Sequence, residues 1–218
     1  LAGSGAVGAD NNEADALGAT FNRPQGLICD ATGTMYVADT GNHRIRKIKM
    51  EGGVLKGVTT LAGSSEGFGD GDASNALFKS PRGLAIDEIG KKLFVADTGN
   101  RRIRMIDLAA AGNPVTTIAG DGSVGDRTGT GNQAQFKAPC ALAFDGSTVY
   151  VVDQLDGRVR KLLPPFTSAS TTVVIGYFGA LDIGYTEGNF DIAKYDFTHD
   201  GGAIVAGPKF NFLVADSG

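Results

Sequence analysis

The chain has 218 residues, a formal net charge of −4 and 42% apolar side chains. That length and apolar content support a sizeable core and exclude an intrinsically disordered polymer. The mild negative charge excludes a general nucleic-acid surface, and no apolar run approaches the ~20 residues that a membrane span needs.

Glycine is abundant, at 33 residues, and clusters between short apolar runs together with Asp and Pro. This composition belongs to many short strands joined by tight turns. Two cysteines, Cys29 and Cys140, are too few for a disulfide framework. There is no Asn-x-Ser/Thr acceptor for N-glycosylation. The chain starts at Leu1 without a signal peptide, as an excised segment would. The compartment is not fixed by the sequence. An extracellular or cell-surface placement is favoured if the parent chain carries a signal peptide.

In chain order, a short apolar strand end (Leu1-Ala2-Gly3) is followed by a Gly- and Asp-rich loop that closes on Ala19-Thr20-Phe21. Pro24 ends the loop, because it fixes its own φ and pushes its predecessor toward extended geometry. Four strands are then expected: Gly26 to Asp30, Met35 to Asp39, His43 to Ile48 and Gly57 to Leu61. The unit returns at Thr59-Thr60-Leu61-Ala62-Gly63, Ala76-Leu77-Phe78 and Pro81, again at Thr116 to Gly120, Ala134-Gln135-Phe136 and Pro139, and a last time from Thr172 to Gly176 and Ala193-Lys194-Tyr195. The second strand and the turn after it carry the clearest copies: Val37-Ala38-Asp39-Thr40-Gly41-Asn42, Val95 to Asn100, Val151 to Asp156, and Val214-Ala215-Asp216. Steps of 58, 56 and 63 residues separate the four Asp positions. No stretch has the 3.6-residue period of a helix. Four-stranded antiparallel units at this spacing predict an all-β fold, a β-propeller. The expected blades cover about 21–63, 78–120 and 136–176, with a partial one at 195–218 and long loops between them.

The pattern Pro-x-Gly-Leu-x-x-Asp, then Val-Ala-Asp-Thr-Gly-Asn-His-Arg-Ile-Arg, then Thr-Thr-Leu-Ala-Gly resembles the NHL-repeat family. Arg101 and Gly157 stand where that family has the histidine of its Asn-His pair. The resemblance implies a propeller, commonly six-bladed, that displays loops to binding partners. About three and a half blades are present, so further blades of the same or another chain are expected to complete the ring.

A residue that repeats in every blade reads as scaffold, because a site on a ring breaks the symmetry. Asp39, Asp97, Asp153 and Asp216 could line a channel as a cation-binding ring. They read more simply as turn caps paired with the arginines of the third strand, Arg44, Arg46 and their copies. The stems of those arginines are expected to pack between blades. Gly41 and Gly99 are expected to supply positive φ in the turn. The acidic loop Glu66 to Asp72 reads as a solvated turn, since it lacks the closing Glu of an EF-hand. Cys29 takes the place of Ile86 and Phe144 and is expected to be buried. Cys140, at a less buried type of position, is the candidate reactive thiol.

Two histidines, His43 and His199, fall in different blades, which gives no zinc ligand set and no catalytic triad. No catalytic residue, cofactor or metal is expected. The fourth-to-first and second-to-third connections emerge on one face. The candidate binding residues there are His43, Arg101, Gln154, Leu155, Asp70, Asp72 and Asp126. The reading is a non-enzymatic binding or scaffold module for a protein or glycan partner. The alternative is a metal-dependent enzyme of lyase or lactonase type whose remaining ligands lie outside this segment. RNA binding, as resemblance to some family members implies, is disfavoured by the charge.

Overall fold

The computed structural model describes residues 2 to 178, together with strands at 203–206 and 212–215. The first sheet is a meander of β1 (Pro24–Cys29), β2 (Met35–Asp39), β3 (Arg44–Glu51) and β4 (Val54–Ala62). The second repeats it with β5 (Pro81–Asp87), β6 (Lys92–Asp97), β7 (Arg102–Asp107) and β8 (Val115–Ala119). The third contains β9 (Gly129–Thr130), β10 (Pro139–Phe144), β11 (Val149–Asp153), β12 (Arg158–Leu163) and β13 (Val173–Phe178). A pair, β14 (Ala203–Ala206) and β15 (Phe212–Ala215), stands beside it, with β14 against β10 and β11. The sequence expectations at Ala193 to Tyr195, His199 and Asp216 lie outside the described residues.

The register is the same in each sheet. Asp39 faces Pro24 on one side and Arg44 on the other, Asp97 faces Pro81 and Arg102, and Asp153 faces Pro139 and Arg158. Every first strand is irregular just after its proline. The long loop before each sheet runs back along that sheet's outer strand. Asn12 bridges Val58, Gly71 bridges Val115, and β9 pairs with β13. The excess length of the repeat thus covers an edge that would otherwise invite pairing with another chain.

The sheets are blades stacked face to face. In β6, Leu93 and Val95 join a core with Tyr36, Ala38 and Ile45 of the first blade, while Phe94 and Ala96 join another with Leu142, Val149 and Val151 of the third. Both faces of a central blade are therefore buried, so its second strand reads as a continuous apolar run. Phe78 and Phe136, which close the loops, are fully buried. The inner strands approach closely, and a Cβ on Gly26 would stand 2.0 Å from the Arg82 carbonyl oxygen.

The outer face of the first blade is open among the described residues. Phe21, Leu27, Met35, Val37, Ile48 and Leu55 line a cleft of about 490 Å³ there. Leu27 is 62% exposed, whereas its counterpart Leu84 is buried against the first blade. This corrects the expectation for Cys29: it lies on the same uncovered side and is exposed. Cys140 is also corrected. It sits on β10, between β5 and β14, and is buried. Burial pushes its thiol up to about 12, so it is no reactive thiol.

Replacing Gly26 by Ala is expected to cost about 2 kcal/mol or more, because the obstacle is backbone rather than a movable side chain. Chemical denaturation would show it as a lower midpoint at unchanged slope. At the corresponding position of the third blade the sequence already carries Ala141.

Candidate functional site

The turns after β2, β6 and β11 and the long loops meet on one face, as their hydrogen bonds show. Each of these turns is a single 3-10 turn, Thr40–Asn42, Thr98–Asn100 and Gln154–Asp156. The residue that closes it is left-handed: His43 at φ 57°, Arg101 at φ 54° and Gly157 at φ 64°. This corrects two expectations. Positive φ falls there and not at Gly41 or Gly99, and the third strand begins after His43. What His43, Arg101 and Gly157 share is a backbone conformation, for which glycine is the least strained choice. Gly41 and Gly99 are required for another reason: a Cβ at either would meet the preceding loop, 2.6 Å from the Asn22 side chain or 2.7 Å from the Lys79 carbonyl.

The recurrent Asp is fully buried in all three blades. It does not cap its own turn through a backbone bond. One oxygen of Asp39 accepts from the Asn22 amide at 2.8 Å, and the other accepts from Asn42 Nδ2 and Arg46 Nη1, each at 2.8 Å. Asp97 repeats this with Lys79 N, Asn100 Nδ2 and Arg104 Nη1. The arginine heads are buried, not only their stems. Arg46 also donates to the Thr20 and Asp10 carbonyls and lies over the Phe21 ring. Arg104 donates to the Leu77 and Gly69 carbonyls. Each Asp–Arg pair thus clamps the long loop to its own blade.

Asp70 is part of the second clamp, at 2.6 Å from Arg104 Nη2, and also takes the Thr117 amide. Asp70 stays exposed within the Glu66 to Asp72 turn, and the buried Arg104 guanidinium binds that exposed carboxylate. Asp72 is exposed and sits beside Gly112, in the connection between β7 and β8 at the other end of the blade.

His43 ties blades together. Its Nδ1 accepts from the Ser80 amide at 3.0 Å, and Nε2 stands 3.9 Å from Glu66. Lys79 pairs with Glu66 at 2.8 Å and holds its carboxyl below the usual range. Thr40 and Thr98 donate to Pro81 and Pro139 of the next blade. Arg101 is half-buried, 3.5 Å from the Gly122 carbonyl.

The third blade departs from this frame. Asp156 replaces the cross-linking asparagine, and Leu155 replaces the glycine. A side chain at that position is incompatible with the close approach, so the loop carbonyl of Ala138 takes the Gln154 amide instead of the next one along. Asp153 then accepts from both Lys137 N and Ala138 N, and Arg160 withdraws to 3.8 Å. Asp156 is paired with Lys137 at 2.9 Å and Arg158 at 3.2 Å, and Arg158 also reaches Asp126 at 3.1 Å. Burial, and then the Asp156 charge, raise the Asp153 carboxyl to about 6. Gln154 is buried and accepts from Arg82.

What this face offers to solvent differs from blade to blade. Leu155 is 52% exposed and Val124 63%. Phe68 is 48% exposed, with the Arg102 guanidinium 3.9 Å over its ring. Phe68, Val124, Arg102 and Asp156 are not among the sequence candidates. The signal for Asp156 is its place in the aligned turns, while Phe68 carries no periodic signal. Among the described residues no group of three His, Cys, Asp or Glu side chains is placed to hold a metal ion.

Stacked four-stranded blades of this kind define a β-propeller protein. Two Bacteroides nutrient-binding proteins of known structure share the fold. That of B. thetaiotaomicron aligns over 88% of this chain and 44% of its own at 16% identity (TM-score 0.63). That of B. ovatus aligns over 91% and 46% at 17% identity (TM-score 0.64). A Bacteroides uniformis protein provisionally assigned as a 6-phosphogluconolactonase aligns over 96% and 51% at 12% identity (TM-score 0.57).

Residues 21–48 of the chain match the NHL repeat model. The chain is 45% identical over 97 residues to the SUPPRESSOR OF QUENCHING 1 protein of Arabidopsis thaliana, covering 43% of this chain and 9% of that one. It is 38% identical over 128 residues to NHL repeat-containing protein 2 of Gallus gallus, covering 57% and 17%. The chain therefore spans less than a fifth of the length of these relatives.

Removing Asp39 as Ala should cost about 3–5 kcal/mol, because it leaves the buried Arg46 without a carboxylate partner. Replacing Asp39 and Arg46 together by apolar residues should cost much less than the two single losses combined. Denaturation of the double-mutant cycle measures this coupling.

Proposed function

We propose that this chain is a non-enzymatic binding module whose loop-and-turn face engages a protein partner. The observation that carries this reading is the fate of the recurrent acids. Asp39, Asp97 and Asp153 are buried and committed to holding loops, while the blade-to-blade variation lies at exposed Phe68 and Leu155, beside the exposed Val124. A rigid frame with variable apolar and aromatic side chains on one loop face is the usual arrangement of a recognition surface. His43, Arg101 and Asp126 add polar groups around these anchors. Gln154, buried, supports the surface from below, and Asp70 is exposed and held by Arg104.

The open outer face of the first blade has a second role in this reading. It takes a further blade, whose aromatic, alanine and β-branched side chains would seat there as Tyr36, Ala38 and Ile45 seat against the second blade. A lactonase-like activity would place its metal ligands beyond the residues described.

Partner capture from a native extract, compared between the unaltered chain and a Phe68→Ala/Leu155→Ala variant, tests the reading. The expected result is at least tenfold weaker retention with an unchanged unfolding midpoint. Metal-dependent hydrolysis of gluconolactones by the unaltered chain, or equal retention by the variant, would contradict it.

A further inference from the structure

The third blade breaks the repeat at the one place where the frame and the exposed face meet. Its turn holds two buried carboxylates, Asp153 and Asp156, where the other blades hold one carboxylate and an amide. In those blades the Asn42 and Asn100 amides donate to the Asp and also to a loop carbonyl, of Gly8 or Gly67. An ionised Asp156 can do neither, since a carboxylate has no proton to donate. The consequence is visible in the ion pair. Arg46 and Arg104 stand 2.8 Å from their Asp, whereas Arg160 stands 3.8 Å from Asp153 and 3.9 Å from Asp156, shared between the two and in hydrogen-bond contact with neither. Leu155, exposed, lies between those carboxylates in sequence.

We propose that this turn is a proton-operated switch on the binding face, in which protonation of Asp153 resets the turn and so changes how Leu155 is presented. The proposal deepens the binding reading and rests on it for its consequence, but not for its mechanism. Among the described residues, the charged groups around Asp153 come from several elements. Lys137 precedes β10, Asp156 lies in the turn, Arg158 and Arg160 are on β12, and Asp126 is on the loop. Beyond these, the Cys140 thiol of β10 lies beside it, and Arg82 of β5 reaches the turn through Gln154. With Asp153 ionised, two carboxylates repel across one turn and compete for Arg160. With Asp153 neutral, the repulsion ends and Arg160 is free to close on Asp156, which draws the turn with it.

The linkage has a definite sign. Asp153 titrates near 6 in the fold, above the unfolded value for Asp of about 3.9. The folded state therefore binds the proton more tightly, and the protonated form is the more stable fold. That contribution is complete below about pH 4 and is lost as pH rises through 6. The switch thus operates in a mildly acidic window.

The test follows the Asp153 carboxyl carbon and the Leu155 methyls by NMR from pH 4.5 to 7.5 in the free protein, with no partner present. The expected result is one reversible transition, shared by both signals, with a midpoint near 6. In Asp156→Asn, which restores the repeat residue and removes the facing charge, the midpoint should fall. In Asn100→Asp, the Asp97 carboxyl should gain a higher midpoint than it has in the unaltered chain. Leu155 methyls that do not move while Asp153 titrates, or a midpoint unchanged in Asp156→Asn, would overturn the proposal. Because the readout is in the free protein, a failed switch leaves the binding reading standing, and a failed partner capture leaves the switch standing.

Discussion

The buried Asp–Arg clamp is the interaction on which the rest of the molecule depends. A propeller blade of four short strands needs its outer edge covered and its faces matched to its neighbours. Here the long loops cover the edges, and the clamp fixes each loop to its blade by binding carbonyl and amide groups from residues far apart in sequence. Taking a guanidinium and a carboxylate out of water is costly, and such a pair is tolerated only where its remaining hydrogen bonds are met. Arg104 meets this best, because its Nε donates to Asp70; Arg46 and Arg160 have no partner at that atom. The clamp is therefore weak evidence for stability as such. Its value lies in fixing one loop placement against many.

That role separates frame from function. The same carboxylates that could form a ring of cation ligands are the acceptors that hold the loops, so their recurrence reflects a structural need repeated in every blade. Under the proposed binding role, recognition is left to what the clamp presents: an aromatic ring stacked under an arginine at Phe68, the apolar Val124 and Leu155, and the cross-blade histidine His43. The third blade shows what happens when the frame itself is altered. Where its turn carries Gln154, Leu155 and Asp156 for Thr, Gly and Asn, a hydrogen bond shifts by one residue and the ion pair is 1.0 Å longer.

The fold was largely legible from the chain itself. Pro24, Pro81 and Pro139, the apolar runs and the Asp-Thr-Gly-Asn turns locate the strands because their physical causes are local: a fixed φ, a pleated face, a tight turn. The contacts that make the candidate surface are not local. Gly41 reads as a positive-φ residue until the loop that crowds it is seen, and the partner of the exposed Asp70 is not visible until Arg104 is placed beside it. Cys29 and Cys140 exchange roles because burial depends on which neighbouring blade covers a face. Phe68 carries no periodic signal at all. The Asn-to-Asp difference at Asp156 was visible in the aligned turns, but its meaning depended on knowing that the asparagine donates to the carboxylate.

The most direct test of the clamp is native-state hydrogen exchange on the unaltered chain. The amides of Asn22 and Lys79, which donate to buried carboxylates, and those of Gly71 and Leu77, which bind backbone carbonyls, lie in long Gly-rich segments that would otherwise exchange as loops. The account predicts protection comparable to that of the amides in β2 and β6. Exchange of these four at the rate of exposed loops, while the strands stay protected, would contradict it.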